Sequence, residues 1–179
     1  MTLWKNFLNE IKSHVENLGG VTMQKFTSRL HEKVSQLLPE KTEEEHVRIA
    51  CLSGLMARIA YNDLKIDAKE KEVIQNSLVK WAGLTKENAL AVAELCLSEV
   101  KDLAGIENHL YCLPLRESLS LDERYNIIVS LFAVAAADGK VENGESEEIR
   151  NINHGLLLEH KHFIAARSTV LESLGVLNQ

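Results

Sequence analysis

Residues 134–149 read VAAADGKVENGESEEI, and they repeat an earlier stretch, IAYNDLKIDAKEKEVI, at residues 59–74. The two stretches align at an offset of 75 residues, with Asp138 opposite Asp63. In each copy an apolar helical pattern runs into a short acidic turn, and a second helical pattern follows. The sequence therefore carries a duplicated helix–acidic turn–helix unit. The identical pairs are Ala60/Ala135, Asp63/Asp138, Lys65/Lys140, Glu70/Glu145, Glu72/Glu147 and Ile74/Ile149.

Helical periodicity continues on both sides of the repeat. Apolar residues recur at three- and four-residue spacing, and the few alternating stretches lie inside such segments. A hydroxyl or acidic residue followed three residues later by Glu marks three helix starts, at Thr42–Glu45, Asp67–Glu70 and Ser120–Glu123. Pro114 is expected to break a short helix within residues 104–119. We predict an all-α bundle of about eight or nine helices, whose two units face each other around a pseudo-twofold axis.

The N-terminal segment has a separate amphipathic pattern. An apolar stripe over residues 2–18 ends at Gly19-Gly20, and a second helical pattern ends before Pro39. We predict a helical hairpin over residues 1–40, followed by a helical domain over residues 41–179. The first interpretation is that the hairpin docks on the core. In the alternative, the protein is an adaptor that binds a membrane surface or a protein partner through residues 1–40.

The composition limits the classes of function. The chain has 179 residues, 45% of them hydrophobic, and a formal net charge of −6 with a pI of about 5.7. A general nucleic-acid-binding protein would need a basic face, so the charge argues against that class. The negative charge suits a soluble acidic protein, or one that attracts cations.

The cysteines and the N-terminus indicate a compartment. Cys51, Cys96 and Cys112 are widely spaced and odd in number, so we expect buried free thiols in a reducing compartment. No apolar run reaches the length of a membrane span. Charged residues interrupt the N-terminal stripe, unlike the apolar centre of a signal peptide. We therefore predict a cytoplasmic protein.

The duplicated pattern A-x-x-D-[G]-x-[IV]-[DE]-x-x-E resembles that of the TerB-like (tellurite-resistance protein B) family, especially its short members with an N-terminal amphipathic helix. The residues 160–167, HKHFIAAR, are similar to the family's F-x-x-A-R tail. The first unit departs from the pattern at Leu64, where the family has glycine. The matching residues are Ala60, Asp63, Ile66, Asp67 and Glu70 in the first unit, and Ala135, Asp138, Gly139, Val141, Glu142 and Glu145 in the second.

The resemblance carries expectations about fold and function. It implies an all-α, TerB-like bundle whose fold is shared with the N-terminal domain of a membrane-anchored DnaJ co-chaperone. It also implies a cytoplasmic accessory protein in stress or tellurite response, without established catalysis. Such a protein would bind divalent cations through the acidic residues or act as an interaction module.

The acidic residues form the candidate metal site. A loop acid followed by acids at a helix start gathers oxygen ligands, which Ca²⁺ and Mg²⁺ prefer. The competing interpretation is that each acid caps a helix and binds no metal. The spacing differs from that of an EF-hand. The candidate residues of this acidic face are Asp63, Asp67, Glu70, Asp138, Glu142 and Glu145.

Two Glu-x-x-His matches raise the hypothesis of a di-iron carboxylate site, at Glu43/His46 and Glu159/His162. Glu43 lies in a predicted capping box and His162 at a helix boundary, so chance is the preferred explanation. The nearby histidines, His154, His160 and His162, are expected to be solvated or to cap a helix.

Motifs of nucleophilic catalysis and of nucleotide binding are absent from the sequence. The sequence therefore predicts a non-enzymatic binding or scaffold module that responds to a divalent cation. It names neither the protein partner nor the oligomeric state.

Overall fold

The computed structural model describes residues 21–62, 65–103 and 109–177, with side chains over 29–62, 65–101 and 110–172. Over these ranges the chain is all-helical and contains no strand, as the sequence predicts. A short 3₁₀ turn, Val100–Leu103, follows the fourth helix. The helices are α1 (Val21–Leu37), α2 (Glu43–Ala60), α3 (Ala68–Ala82), α4 (Lys86–Glu99), α5 (His109–Ser118), α6 (Leu121–Ala135), α7 (Asn143–Gly155) and α8 (His160–Leu177).

The predicted capping boxes start three of these helices. At α2, the Thr42 hydroxyl accepts a hydrogen bond from the Glu45 N–H (3.3 Å), and a Glu45 carboxylate oxygen accepts one from the Thr42 N–H (2.8 Å). The same reciprocal arrangement occurs at Ser120–Glu123 and at Asp67–Glu70. Each box satisfies backbone donors that the first helical turn leaves unpaired.

Helices α2 and α6 form the centre of the molecule. Thirteen of the eighteen residues of α2 are buried, and α2 contacts α1, α3, α4, α5, α6 and α7. Helix α6 contacts α2, α3, α7 and α8. The two repeated units are therefore α2–α3 and α6–α7. Since α3 also packs on α6 and α7 on α2, the units interlock reciprocally.

Helix α5 continues through Pro114, and the predicted break there is wrong. The buried side chains of Leu110, Tyr111 and Leu115 pack this helix into the core. Gly54 permits the closest approach, since a Cβ at that position would lie 2.7 Å from Tyr111 Cε1. Burial of this apolar face outweighs the cost of the hydrogen bond that proline cannot make.

Helix α1 packs into the same core through Leu30 and Val34, and Leu38, directly after the helix, joins them. The buried Glu99 carboxylate of α4 binds the side chains of Arg29 (3.1 Å) and Lys33 (2.7 Å) on α1. The first helix of the predicted hairpin lies outside the described residues, so the hairpin and the division at residue 40 stay predictions. None of the helices in the described ranges has both the length and the apolar character that are needed to cross a membrane.

Candidate functional site

The second acidic turn connects α6 to α7. Gly139 has a φ of +102°, in the region that favours glycine. The Lys140 N–H donates to Asp138 Oδ1 (3.1 Å), and the Lys140 ammonium lies 2.6 Å from Glu142 Oε1. The Glu142 N–H donates to Glu145 Oε2 at 2.7 Å. Asp138 and Glu142 are exposed, whereas Glu145 is buried.

The first acidic turn repeats part of this geometry before α3. The Asp67 N–H donates to Glu70 Oε2 at 2.7 Å, and Asp67 Oδ1 accepts from the Lys69 N–H at 2.7 Å. Asp67 is exposed and Glu70 is buried, like their counterparts in the second unit. The predicted site residue Asp63 and the departure at Leu64 lie outside the described residues. Asp67, Glu70 and Glu145 therefore bond backbone N–H groups at helix starts, whereas Asp138 bonds within the turn and Glu142 pairs with Lys140.

Residues that border the two turns approach each other. Asn62 precedes the first acidic turn, and its Nδ2 is 2.7 Å from the position that a Cβ would take on Gly144, in the first turn of α7. Nearby, Arg58 Nη2 of α2 donates to Glu148 Oε1 of α7 at 2.7 Å. This ion pair also joins the two repeated units, α2–α3 and α6–α7.

A different set of residues brings metal-binding atoms together. Among the described residues, His31, Glu43 and His46 are the one group of three or more His, Cys, Asp or Glu whose ligand atoms all lie within 4.8 Å of one another. The acidic face remains a prediction, and one of its six members is undescribed.

Two of the three members of this cluster, Glu43 and His46, are visible in the sequence as a Glu-x-x-His match. The position of Glu43 at a helix start argues against a metal site there. His31 belongs to the preceding helix and lies outside that spacing pattern. The short connection around Pro39 indicates that His31 lies near Glu43, because it reverses the chain and brings α1 against the start of α2.

The second Glu-x-x-His match serves a structural role. His162 Nδ1 accepts a hydrogen bond from the Glu159 N–H at 3.1 Å, and thereby caps α8. Glu159 binds the Lys161 ammonium (2.9 Å), which holds the pKa of this carboxyl below its usual value. His160 stacks on Phe163, and His154 is exposed. Solvated or capping histidines were predicted here, and the prediction is confirmed.

All three cysteines are buried free thiols, as predicted. Burial raises the pKa of Cys96 and of Cys112 to about 12, and it also raises the pKa of Cys51. A thiol of this kind is protonated at neutral pH and is a poor nucleophile. These cysteines therefore fill the core.

The sequence model of the family described as tellurite resistance protein TerB matches residues 46–168. The match runs from α2 into α8, so it contains both repeated units and well over half of the chain. No curated protein and no solved structure matches significantly, and the likeness to the DnaJ co-chaperone domain stays a prediction. On the strength of the family match and of the all-helical fold that accompanies it, the chain belongs to the TerB family.

Proposed function

We propose that the protein is a non-enzymatic accessory module whose acidic face binds a divalent cation, Ca²⁺ or Mg²⁺, and, in its cation-free form, a basic protein partner. The observation that supports the proposal is the close approach of Asn62 to Gly144, since these two residues border the two acidic turns. The carboxylates of Asp67, Asp138 and Glu142 are exposed, and the proposal places them on one face.

Helix capping does not exhaust these carboxylates. Each ionised carboxylate has about four acceptor positions, and a capping bond uses one of them. Hard cations take oxygen ligands from carboxylates and water, with flexible geometry in the case of Ca²⁺. Backbone N–H groups hold the carboxylates of Asp67 and Asp138 in place, and fixed ligands lose less entropy when a cation binds.

The mechanism is electrostatic. Carboxylates on one face repel one another, and a bound dication neutralises them and stiffens both turns. In the cation-free protein, the same negative face attracts a basic partner. The cation and the partner therefore compete, and the occupancy of the turns controls the interaction.

Thermal unfolding in the presence of Ca²⁺, Mg²⁺ or Mn²⁺ tests this proposal. Binding to the native state raises the free energy of unfolding by about 2.7 kcal/mol at a hundredfold excess over Kd. We expect a rise in Tm with one of these cations for the wild type. The double variant Asp138→Asn/Glu142→Gln should lose that rise.

A matched control removes the same charge from first-turn acids of other helices, in Glu87→Gln/Asp122→Asn. This control should keep the cation-dependent rise. A response that survives Asp138→Asn/Glu142→Gln, or the absence of any response in the wild type, would leave the acids as helix caps and refute the cation site.

A further inference from the structure

We propose that His31, Glu43 and His46 form a binding site for a transition-metal dication, of which Zn²⁺ is the best fit, and that the metal fastens α1 to the first turn of α2. His31 belongs to α1, whereas Glu43 and His46 belong to the start of α2. The site is separate from the acidic turns, and it does not depend on the function proposed for them.

The spacing of the ligand atoms is close to that of a metal site. His31 Nε2 lies 3.0 Å from Glu43 Oε1, and His46 Nδ1 lies 3.8 Å from Glu43 Oε2. With zinc–ligand bonds of about 2.0–2.1 Å, adjacent ligand atoms of a tetrahedral site are about 3.4 Å apart. The two distances involve different oxygens of Glu43, and one ligand atom from each of the three residues lies within 4.8 Å of the others, so side-chain rotations would draw the three atoms to tetrahedral spacing.

A hydrogen bond of the second ring nitrogen of His46, Nε2, orients the imidazole as a metal ligand requires. Nε2 lies 2.8 Å from the carbonyl oxygen of Leu38. A carbonyl only accepts hydrogen bonds, so the proton of a neutral ring is on Nε2, and Nδ1 carries the lone pair that faces Glu43. Metal-binding histidines are usually held in this way, with the other ring nitrogen donating to a carbonyl or a carboxylate.

Two buried nitrogens in this cluster lack a hydrogen bond. His46 is only 6% exposed, and neither its Nδ1 nor His31 Nε2 has a hydrogen-bond partner among the described residues. His31 Nε2 is close to Glu43 but is not aligned with it as a hydrogen-bond donor. A buried polar atom without a partner costs free energy, and a metal ion would satisfy both nitrogens at once.

The ligand set selects the class of metal. Two imidazoles and one carboxylate suit Zn²⁺ and its neighbours Co²⁺ and Ni²⁺, whereas Ca²⁺ and Mg²⁺ prefer oxygen ligands. Three protein ligands leave a fourth position of the tetrahedron open. The Glu43 side chain is 59% exposed, so this open side faces solvent and admits water or a ligand from a partner.

The position of the site suggests its role. The segment that matches the TerB family begins at His46, and α1 lies before it. A metal at this cluster would bind α1 to that segment, next to the ion pairs between α1 and Glu99. It would therefore act as a cross-link that sets how firmly α1 is held, in proportion to metal availability.

Titration of tag-free, full-length protein with Zn²⁺ tests the site, and Co²⁺ absorption reports the coordination. We expect one Zn²⁺ per chain and slower amide hydrogen exchange in α1 when it is bound. His31→Gln and Glu43→Gln should each weaken Zn²⁺ binding by at least about tenfold, because loss of even an outer-shell partner costs 10–100-fold. His31→Gln is the main variant, since His31 is the less buried histidine.

The other Glu-x-x-His pair provides matched controls. Glu159→Gln and His162→Gln make the same chemical changes away from the cluster, and both should bind Zn²⁺ like the wild type. The same holds for Asp138→Asn/Glu142→Gln, which separates this site from the acidic face. The absence of Zn²⁺ binding, or near-native affinity in either His31→Gln or Glu43→Gln, would overturn the proposal and leave a histidine–glutamate ion pair.

Discussion

At the scale of single residues, the end of α7 holds a strained position. The Leu157 N–H donates to the His154 carbonyl (3.0 Å) and the Leu158 N–H to the Asn153 carbonyl (3.0 Å), as in a Schellman motif. This geometry places Leu157 at a φ of +54°, and its side chain is 65% exposed. Leu157 therefore bears the cost of a left-handed backbone without the benefit of burial.

Leu157→Gly should raise the free energy of unfolding by about 0.5–1 kcal/mol, since glycine adopts this backbone without strain. The reverse change is available at the end of α3, where Gly83 has a φ of +63°. Gly83→Leu should lower the free energy of unfolding by about 1–2 kcal/mol. Urea unfolding measures both changes in free energy when each variant has the same m-value as the wild type. A loss of stability in Leu157→Gly would show that the exposed leucine contributes a contact that the strain argument omits.

At the scale of helices, the features that depend only on neighbouring residues, such as capping boxes, correctly predict where helices start. A box such as Thr42–Glu45 predicts a helix start because both hydrogen bonds lie within four residues. The helix break predicted at Pro114 is wrong because a proline inside a helix can be tolerated through packing between helices, and helix propensity does not include that packing. The histidine cluster was incomplete for the same reason, since His31 reaches Glu43 only after α1 folds against α2.

The capping box of α2 also predicts a dependence on pH. The Thr42 N–H, followed by the Lys41 ammonium, lowers the pKa of Glu45 from 4.5 to about 2. A lowered native pKa stabilises the fold above the unfolded-state pKa, and the gain is lost as pH falls through the native value. The contribution of Glu45 is therefore complete above about pH 4.5 and disappears towards about pH 2.

Glu45→Gln should accordingly be less stable than the wild type at neutral pH, and the difference should shrink between about pH 4.5 and 2. Urea midpoints of both proteins across this range measure the effect, and subtracting them removes the titration of the other carboxylates. Glu87→Gln, at an exposed first-turn acid of α4, controls for the loss of one negative charge. A stability difference between the wild type and Glu45→Gln that stays constant with pH would contradict the assigned role of this carboxylate.

At the scale of the whole molecule, helical periodicity predicts an all-α bundle and the resemblance of the repeat implies the TerB family, and the helices and the family match confirm both. The relation between α1 and the rest of the chain is a separate question. A stripe of apolar residues predicts burial but does not name the surface that covers it. Here Leu30, Val34 and Leu38 lie in the cluster that also contains the centre of α2. This arrangement implies that α1 unfolds together with the family segment.

Leu30→Ala tests that cooperativity, because Leu30 is 1% exposed and its truncation should cost about 2–5 kcal/mol. Trp81 of α3 donates to Ser130 of α6, so its fluorescence reports the family segment in a Trp4→Phe background. We expect Leu30→Ala to shift the fluorescence transition and the far-ultraviolet circular dichroism transition equally. Leu37→Ala, on the same helix but 38% exposed, should shift both by much less. If the Trp81 transition of Leu30→Ala stayed at the wild-type position, α1 would be a separate unit, as a boundary at residue 40 requires.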